Sequence, residues 1–324
     1  MKALVTGGAG FIGTHLVRSL LERDLEVVCV DNFTLGLQEN VDCFLDNPNY
    51  KFYNINIEET EKFCSELEDE DFDIVYHLAA NSDIQKGGKM PKVDFNDTFM
   101  TTYSVLELMR RKNIKKLFFS STSAVYGDKN TLLREDTGDL KPISYYGGAK
   151  FASEGFVSSY SFMNDLSTVV FRFPNVIGPN LTHGVIYDFV KKLNNNPNEL
   201  EILGDGTQTK PYLYVLDLVD AIVEFTRDKE MKKGLEIYNA GVESATSVTR
   251  IADIVCEVLG YENVKYNYTG GNVGWKGDVP KFQYDLTKIH NAGWTAKHTS
   301  DESVREAVIY IKEHTHESSN SSRG

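Results

Sequence analysis

The chain has few cysteines, a deficit of positive charge and no long apolar run. Its cysteines, Cys29, Cys43, Cys64 and Cys256, are scattered and form no C-x-x-C spacing. We therefore expect buried thiols, which suits a reducing cytoplasm. The 34 Lys and Arg residues against 47 Asp and Glu give a net charge of −13. Nucleic-acid backbones are bound by basic surfaces, so this charge argues against a nucleic-acid partner.

Nothing in the sequence is typical of a membrane protein. No apolar run approaches the length that a bilayer requires. The first apolar segment, residues 2–5, is typical of a strand, and we expect no signal peptide before it. A cytoplasmic protein without a membrane partner is therefore expected. The hydrophobic content of 41% is sufficient for a packed core.

The first half of the sequence alternates short apolar runs with amphipathic stretches. Predicted strands cover residues 3–6, 26–31, 51–55, 73–78, 116–120 and 167–171, and predicted helices cover 14–23, 59–68, 98–111 and 144–163. Such alternation is typical of a parallel sheet covered by helices on both faces. After residue 172 the pattern becomes irregular, because prolines and glycines separate shorter elements.

A glycine-rich segment follows the first predicted strand and begins the first predicted helix. Gly8, Gly10 and Gly13 fit G-x-G-x-x-G, and Gly7, Gly10 and Gly13 fit G-x-x-G-x-x-G. Glycines in this position allow a tight turn and a close approach of the backbone to a pyrophosphate, which the helix N-terminus stabilises. The position after a strand makes a dinucleotide site the favoured interpretation over a simple tight turn.

Asp31 ends the second predicted strand, close to the position where dinucleotide-binding folds place an acid. A carboxylate there accepts hydrogen bonds from the adenosine ribose and repels a 2′-phosphate. We therefore expect NAD rather than NADP as the cofactor. A plain capping aspartate is the alternative, and Asn32 could contact the same ribose.

Tyr146 and Lys150 lie four residues apart within the predicted helix 144–163, which places both side chains on one helix face. An ammonium near a phenol favours the phenolate, so we expect the pKa of Tyr146 to fall from about 10 toward neutrality. Such a tyrosine can take the proton of a sugar hydroxyl while a nicotinamide takes the hydride. The spacing alone is common by chance, so the surrounding motifs decide its meaning.

Taken together, these motifs resemble those of the extended short-chain dehydrogenases/reductases of the nucleotide-sugar epimerase and dehydratase group. The resemblance covers residues 1–312, and its motifs lie at residues 6–13, 31–32, 77–80, 120–127, 146–150, 172–179, 204–206 and 214–217. It implies an α/β fold with a Rossmann-type doubly wound parallel sheet and a smaller C-terminal α/β substrate lobe. We expect residues 1–172 to bind NAD, with about 210–240 returning to that domain, residues 173–312 to bind substrate, and 313–324 to be a disordered tail.

The resemblance also assigns roles at the cofactor site. Phe11 and Ile12 belong to the glycine motif, and Leu78, Ala79 and Ala80 are expected to line the cofactor groove through their backbone. The preceding His77 is interpreted as a packed strand residue rather than a base. Asn56 and Ile57 stand where the family usually has Asp and an apolar residue near the adenine, so the amide keeps a hydrogen-bonding group and drops the charge.

Thr122 would be the third catalytic residue beside Tyr146 and Lys150, with its hydroxyl bound to the sugar oxygen at C4. Lys150 would also hold the nicotinamide ribose. Related dehydratases carry an acid just after this threonine, where the present chain has Ser123 and Ala124. Because alanine transfers no proton, the sequence favours an NAD-dependent nucleotide-sugar 4-epimerase with a transient 4-keto intermediate. A 4,6-dehydratase, a 4-dehydrogenase or reductase, and a non-catalytic NAD-sensing protein remain as alternatives.

Several substrate-lobe positions depart from the family pattern. Lys210 and Trp275 stand where arginines usually grip the diphosphate, and Lys276 could compensate. Asn175 matches a substrate-contacting asparagine, although it could also be a turn residue. Phe282 aligns with the position that gates the pocket around the C2 substituent, where a bulky residue would disfavour an N-acetyl group. The expected partner is a nucleotide-diphosphate sugar, and no metal site is expected.

A homodimer is also expected, because helices 98–111 and 144–163 resemble those that form a four-helix interface in this family. Its apolar face could come from Tyr103, Leu106, Met109, Phe156 and Tyr160. The alternative for these side chains is burial against their own sheet.

Overall fold

The computed structural model describes residues 1–129, 131–271 and 279–320, with side chains described as far as residue 314. The chain forms two compact units. The first comprises Met1–Gly127, Glu135–Arg172 and Val219–Tyr238, and the second comprises Asp128–Arg134, Phe173–Leu218 and Asn239–Gly324. The last helix extends to Asn320 and so enters the segment expected to be a disordered tail.

Strands and helices alternate through the first unit and become shorter in the second. The strands are β1 (Lys2–Thr6), β2 (Glu26–Asp31), β3 (Tyr50–Asn54), β4 (Ile74–His77), β5 (Lys116–Thr122), β6 (Ser167–Phe173), β7 (Asn175–Ile177), β8 (Glu199–Ile202), β9 (Thr209–Lys210), β10 (Tyr212–Tyr214), β11 (Gly234–Asn239), β12 (Thr246–Ser247) and β13 (Lys265–Tyr268). The α-helices are α1 (Phe11–Leu21), α2 (Glu39–Asp42), α3 (Thr60–Glu66), α4 (Ile84–Lys89), α5 (Pro91–Asp94), α6 (Thr101–Lys112), α7 (Tyr145–Met163), α8 (Val185–Asn195), α9 (Val215–Val223), α10 (Val248–Leu259), α11 (Thr287–Asn291) and α12 (Ser300–Asn320). A 3₁₀ turn covers Ser123–Tyr126, and π-helical turns cover Phe95–Met100 and Glu224–Asp228.

The first unit is built on a seven-stranded sheet in the order β3-β2-β1-β4-β5-β6-β11. The pairs β1–β2, β2–β3, β1–β4 and β4–β5 are parallel. The strand order reverses between β1 and β4, and in such sheets ligands bind outside the carboxyl ends of the strands at this reversal. The predicted Rossmann-type doubly wound sheet is confirmed, and the glycine segment and residues 78–80 follow the two strands at the reversal.

The central strands of the sheet are apolar on both faces. Ala3, Leu4 and Val5 of β1 are fully buried, as are Phe118 and Phe119 of β5, and continuous apolar strands are what a sheet covered on both faces requires. Helix α6 packs against α3 and against α7 in the same unit. Side chains from these helices join those of the central strands in one hydrophobic core.

The second unit has three two-stranded sheets and its own core. The strand pairs are β7 with β10, β9 with β12, and β8 with β13. Helices α8, α10 and α12 pack together around a separate group of buried apolar side chains. Among the described residues of both units, no helix is long and apolar enough to cross a bilayer.

Candidate active site

Strand β5 and helix α7 bring two of the three predicted catalytic residues together. Thr122 ends β5, and its hydroxyl accepts the Ala124 N–H at 3.2 Å, which begins the 3₁₀ turn. Helix α7 begins where the Ser144 hydroxyl accepts the Gly147 N–H at 3.1 Å. The hydroxyls of Thr122 and Tyr146 share a hydrogen bond. Both groups could therefore contact one oxygen atom of a bound alcohol.

Lys150 lies one helical turn after Tyr146 and is almost completely buried. Its Nζ donates to the Ser120 carbonyl oxygen at 2.7 Å and to the Ser120 Oγ at 3.3 Å, and it lies 5.0 Å from the centre of the Phe119 ring. Burial lowers the pKa of Lys150 to about 7, and the nearby Glu154 carboxylate opposes this shift. The lysine is thus poised between its charged and neutral forms at neutral pH.

The expectation of a lowered tyrosine pKa was wrong for the chain by itself. Desolvation raises the pKa of Tyr146 to about 12, and the hydrogen bond from Thr122 only partly opposes it. The Tyr146 residue keeps some solvent exposure, but its hydroxyl lies deep enough in the protein to lose its hydration. The Lys150 amine bonds to Ser120, and Tyr146 is neutral at physiological pH.

His77 lies at the end of β4 and is packed in the interior, as the sequence predicted. The imidazole is buried, with Nδ1 2.7 Å from the Thr6 hydroxyl and Nε2 3.0 Å from the Thr102 hydroxyl. Burial and the charge of Lys150 lower the pKa of His77 to about 3. A neutral imidazole held by two hydroxyls fixes the end of β4 and is unsuited to act as a base at pH 7.

The glycine segment forms a tight turn that only glycine can adopt. Gly7 has a φ of +74°, and a β-carbon there would lie 2.7 Å from the Ala79 amide nitrogen. A β-carbon at Gly13 would lie 2.1 Å from the Gly7 carbonyl oxygen, and one at Gly10 would lie 3.2 Å from it. Gly10 is also the N-cap of α1, and because glycine has no side chain it makes no capping hydrogen bond to the amides of the first turn. The first-turn amides, including those of Phe11 and Ile12, begin a helix at the place where a pyrophosphate would bind.

The acidic end of β2 is tied to the glycine turn. The Asp31 carboxylate is buried and accepts the Ala9 N–H at 3.1 Å and the Phe33 N–H at 2.9 Å. Desolvation raises the pKa of Asp31, while these amides oppose the shift. Each carboxylate oxygen has a second lone pair that a ribose hydroxyl could use.

The remaining predicted cofactor residues lie at the ends of neighbouring strands. The Asn32 side-chain amide donates to the Asn56 oxygen at 2.8 Å, which joins the ends of β2 and β3. Ile57 is buried next to Asn56. The segment of Leu78, Ala79 and Ala80 leaves β4 partly exposed, with the Leu78 N–H donating to the Thr6 carbonyl oxygen at 3.1 Å.

The predicted substrate residues belong to the second unit. Asn175 is exposed on β7, and Lys210 is half-buried on β9. The Phe282 ring is half-buried and packs edge-on against Tyr284, with ring centres 5.6 Å apart. Trp275 and the neighbouring Lys276 lie outside the described residues.

Sequence reasoning missed a buried ion pair next to the catalytic residues. Arg172 Nε and Nη2 donate to the two Glu154 carboxylate oxygens at 2.9 and 2.6 Å. Ser121 donates to the same carboxylate, and Arg172 Nη1 donates to the Tyr126 hydroxyl at 3.0 Å. The available signal was the spacing of Glu154, four residues after Lys150 on the same helix face.

Comparison with known proteins identifies the family. The sequence model of the NAD-dependent epimerase/dehydratase family matches residues 3–241. The chain belongs to this family. A UDP-glucose 4-epimerase from Lactobacillus helveticus is 30% identical to this family member over 333 residues, covering 97% of this chain and 98% of the relative.

Solved structures of the family have the same fold. A UDP-galactose 4-epimerase structure has a TM-score of 0.85 at 36% identity and covers 97% of this chain and 99% of its own. A dTDP-glucose 4,6-dehydratase from Bacillus anthracis in complex with NAD has a TM-score of 0.85 at 25% identity, covering 98% of both chains. This family member therefore depends on NAD. Its fold is equally similar to that of an epimerase and that of a dehydratase, so the fold does not distinguish the two reactions.

The residues of this chain fit NAD. The β-carbon positions at Gly7 and Gly13 are filled by neighbouring backbone, so the turn admits no larger residue. Such a turn at a helix N-terminus suits a pyrophosphate, and the Asp31 carboxylate suits a ribose without a 2′-phosphate.

Proposed function

We propose that the protein is an NAD-dependent 4-epimerase of nucleoside-diphosphate hexoses. The observation that carries the proposal is the joint placement of Thr122, Tyr146 and Lys150 at the junction of β5 and α7, with Ala124 in the turn between them. Thr122 and Tyr146 would contact the C4 oxygen of the sugar. Lys150 would hold the nicotinamide ribose and supply positive charge.

The three side chains would transfer the C4 hydroxyl proton and hold the C4 oxygen in place. Bound NAD would supply the hydride chemistry at C4, both oxidation and reduction. Tyr146 removes the C4 hydroxyl proton and later returns it to the same oxygen atom. Thr122 donates a hydrogen bond to the same oxygen as its charge develops. Because the pKa of Tyr146 is about 12 in the chain alone, the base form needs a cation nearby, and Lys150 is one turn away.

The turn after Thr122 supports an epimerase over a dehydratase. A 4,6-dehydratase must also remove the C5 proton and protonate the hydroxyl leaving C6, which requires further acid–base groups. Residues Ser123 and Ala124 occupy that turn, and the Ala124 carbonyl packs so closely on Gly147 that a β-carbon there would lie 2.7 Å away. Position 124 therefore adjoins the start of α7, next to Tyr146, and it carries no ionisable group.

A dehydratase is the second candidate because an acid reaches the site from another helix. Asp94 on α5 is buried, accepts the Asn81 amide at 2.8 Å through Oδ1, and has no hydrogen-bond partner for Oδ2 among the described residues. Its charge contributes to the raised pKa of Tyr146. Burial and the neighbouring carboxylates Asp97 and Asp83 raise the pKa of Asp94, as an acid that donates a proton requires.

Product analysis with a panel of sugars separates these reactions. The protein is incubated with UDP-glucose, UDP-galactose and their N-acetyl forms, and the products are identified by mass spectrometry and NMR. We expect the C4 epimer without net NADH. A 4-keto-6-deoxy sugar would contradict the epimerase and support the dehydratase, and stoichiometric NADH would indicate a dehydrogenase. If Tyr146→Phe left the protein's cellular role unchanged, a non-catalytic NAD sensor would be favoured.

The proposed substrate is a UDP-hexose without an N-acetyl group at C2. The similarity of the chain to epimerases of UDP-glucose and UDP-galactose supports UDP as the nucleotide. Phe282 would disfavour an N-acetyl group at C2, so the unsubstituted hexoses should react faster in the panel. Asn175, Lys210 and Trp275 remain predicted substrate contacts. A cytoplasmic location also remains a prediction from the sequence.

A homodimer through α6 and α7 is part of the proposal. An aromatic ridge of Phe95, Phe99 and Phe156 lies across the π-helical turn and α7, with ring centres 5.7 and 5.1 Å apart along it. Phe95 and Phe156, which both pack against Phe99, are 52% and 42% exposed, and an exposed apolar cluster of this kind is typical of an interaction surface. Leu106 and Met109, expected at the interface, are instead buried in the core of their own unit.

A further inference from the structure

The buried ion pair of Glu154 and Arg172 joins β6 to α7 and to the end of β5, the two elements that carry the proposed active site. Glu154 lies on α7, one turn after Lys150, and Arg172 lies on β6. The pair is bidentate and both side chains are less than a tenth exposed. Arg172 also lies over the Tyr126 ring, 4.9 Å from its centre. This fork geometry is the strongest form of a carboxylate–guanidinium contact.

The segment that carries Thr122 is held on both sides by this arrangement. Ser120 accepts a bond from Lys150, and the next residue, Ser121, donates to Glu154. Four residues after Thr122, the Tyr126 hydroxyl accepts from Arg172. The strand end before Thr122 and the turn after it are therefore fastened to α7 and β6, so that Thr122 has little freedom to move away from Tyr146.

Stability alone does not explain such a pair. Buried ion pairs contribute little net stability, because desolvation of the charges offsets their attraction, and apolar replacements are often tolerated. A function that needs an oriented carboxylate at this place explains the arrangement better. Glu154 is positioned to act on the charge of its neighbour Lys150.

The charged and polar groups of the described residues that face Lys150 come from four elements. On its own helix these are Tyr146 and Glu154, and from β4 His77 interacts with its charge. From β5 it meets the neutral Ser120 and the Phe119 ring. Arg172 of β6 is joined to it through the Glu154 carboxylate. Among the described residues that face Lys150, Glu154 is the anion that favours the ammonium form.

We propose that Glu154, oriented by Arg172, is a positioning residue that holds Thr122 beside α7 and favours the cationic form of Lys150. The catalytic part of this inference rests on the proposed function. The charge of Lys150 does not, because it can be measured without any substrate.

The test follows the ionisation of Lys150 directly by NMR of protein with ¹³C- and ¹⁵N-labelled lysine, with the signal assigned by its loss in Lys150→Met. In Glu154→Gln we expect the titration midpoint of Lys150 to fall by about one pH unit or more. Glu107→Gln is the matched control, since Glu107 is equally buried, takes a bidentate Arg110 and accepts from Tyr160. An unchanged midpoint in Glu154→Gln, or an equal shift in Glu107→Gln, would overturn the charge role.

Activity as a function of pH tests the positioning role. We expect kcat of Glu154→Gln to fall at least about tenfold at pH 7 with a smaller change in KM, and the ratio of wild-type to variant activity to grow from pH 6 to pH 8. A loss that is the same at every pH would indicate a structural role and contradict the inference. A wild-type protein that lacks epimerase activity would refute the proposed function, while the lysine titration would still decide the role of Glu154.

A second variant addresses folding, because Glu154→Gln leaves the Arg172 charge buried without its partner. The double substitution Glu154→Gln with Arg172→Gln removes both charges, and we expect it to fold, with a Lys150 midpoint that is still below that of the wild type. If neither variant folds, the pair serves stability and the proposal is overturned.

Discussion

At the scale of single residues, the burial of Lys150 has a consequence for stability. The folded pKa of about 7 lies below the usual value of about 10.4 in an unfolded chain. Between these two values the unfolded chain binds more protons, so stability rises with pH across this window. Below pH 7 the buried charge destabilises the fold fully. Placing this lysine in the core therefore lowers stability in order to provide an amine of adjustable charge.

Lys150→Met should stabilise the protein more at pH 6 than at pH 9. The stabilisation at the two pH values is expected to differ by an amount on the order of 2 kcal/mol. At pH 6 the substitution removes a buried charge, whereas at pH 9 the buried amine of the wild type is already neutral. The lost bond to Ser120 affects both pH values equally. Urea unfolding of both proteins at the two pH values measures this difference. Lys116→Met, at an exposed position of β5, should show no such difference, and an equal pattern in both variants would contradict the account.

The sequence located these residues but not their charge states. The four-residue spacing placed Tyr146 and Lys150 on one helix face, and the structure has them there. The spacing could not reveal that Lys150 bonds to Ser120 or that desolvation raises the pKa of Tyr146. Both depend on what β5 presents to the helix, and tertiary packing of this kind leaves no periodic signal in either segment.

At the scale of elements, the contact between α7 and the turn after β5 depends on a glycine. Gly147 allows the helix to approach the Ala124 carbonyl oxygen, where a β-carbon would lie only 2.7 Å away. The approach sets the distance between the elements that carry Tyr146 and Thr122.

Gly147→Ala should displace these elements and lower kcat by about tenfold to a hundredfold, with a loss of stability of about 1–3 kcal/mol. Gly155→Ala on the same helix meets no atom within 4 Å. This control should retain activity and gain about 0.5–1 kcal/mol, as glycine-to-alanine changes in helices do. Steady-state kinetics and urea unfolding measure both variants, and equal activities would show that the close approach is unimportant.

Most elements of the first unit could be predicted because apolar strands alternate with amphipathic helices. The short helices α2, α4 and α5 and the strand β11 were not predicted, and the last three residues of the π-helical turn Phe95–Met100 were predicted as the start of an ordinary helix. Threonine hydroxyls explain the irregular turn: Thr101 and Thr102 donate to the Thr98 carbonyl oxygen at 3.0 and 2.8 Å. Such bonds back to the preceding turn distort helices, and they do not alter the apolar periodicity that the prediction uses.

At the scale of the whole molecule, the aromatic ridge of Phe95, Phe99 and Phe156 is the feature that points to assembly. Sequence patterning indicated α6 and α7 as interface helices, but it could not separate the exposed side chains from those in the core. Leu106 and Met109 are nearly fully buried, whereas Phe156 is exposed. The difference depends on how the helices are rotated against their sheet, which is a property of the folded unit.

Phe156→Glu should convert a dimer into a monomer. A charge on the ridge would be desolvated in the interface, which is strongly unfavourable. Light scattering after size-exclusion chromatography should give twice the chain mass of 36.5 kDa for the wild type and the single mass for the variant. Tyr187→Glu, at an exposed ring on α8 of the second unit, should stay dimeric. A monomeric wild type would contradict the dimer proposal.

The fate of the hydrogen at C4 tests the central claim most directly. UDP-glucose carrying deuterium at C4 is incubated with the protein, and the product is examined by NMR, with Tyr146→Phe as the inactive control. An epimerase returns the same hydride to the other face of C4, so we expect UDP-galactose with the deuterium still at C4. Deuterium at C6 of a 4-keto-6-deoxy sugar, or in released NADH, would contradict the account.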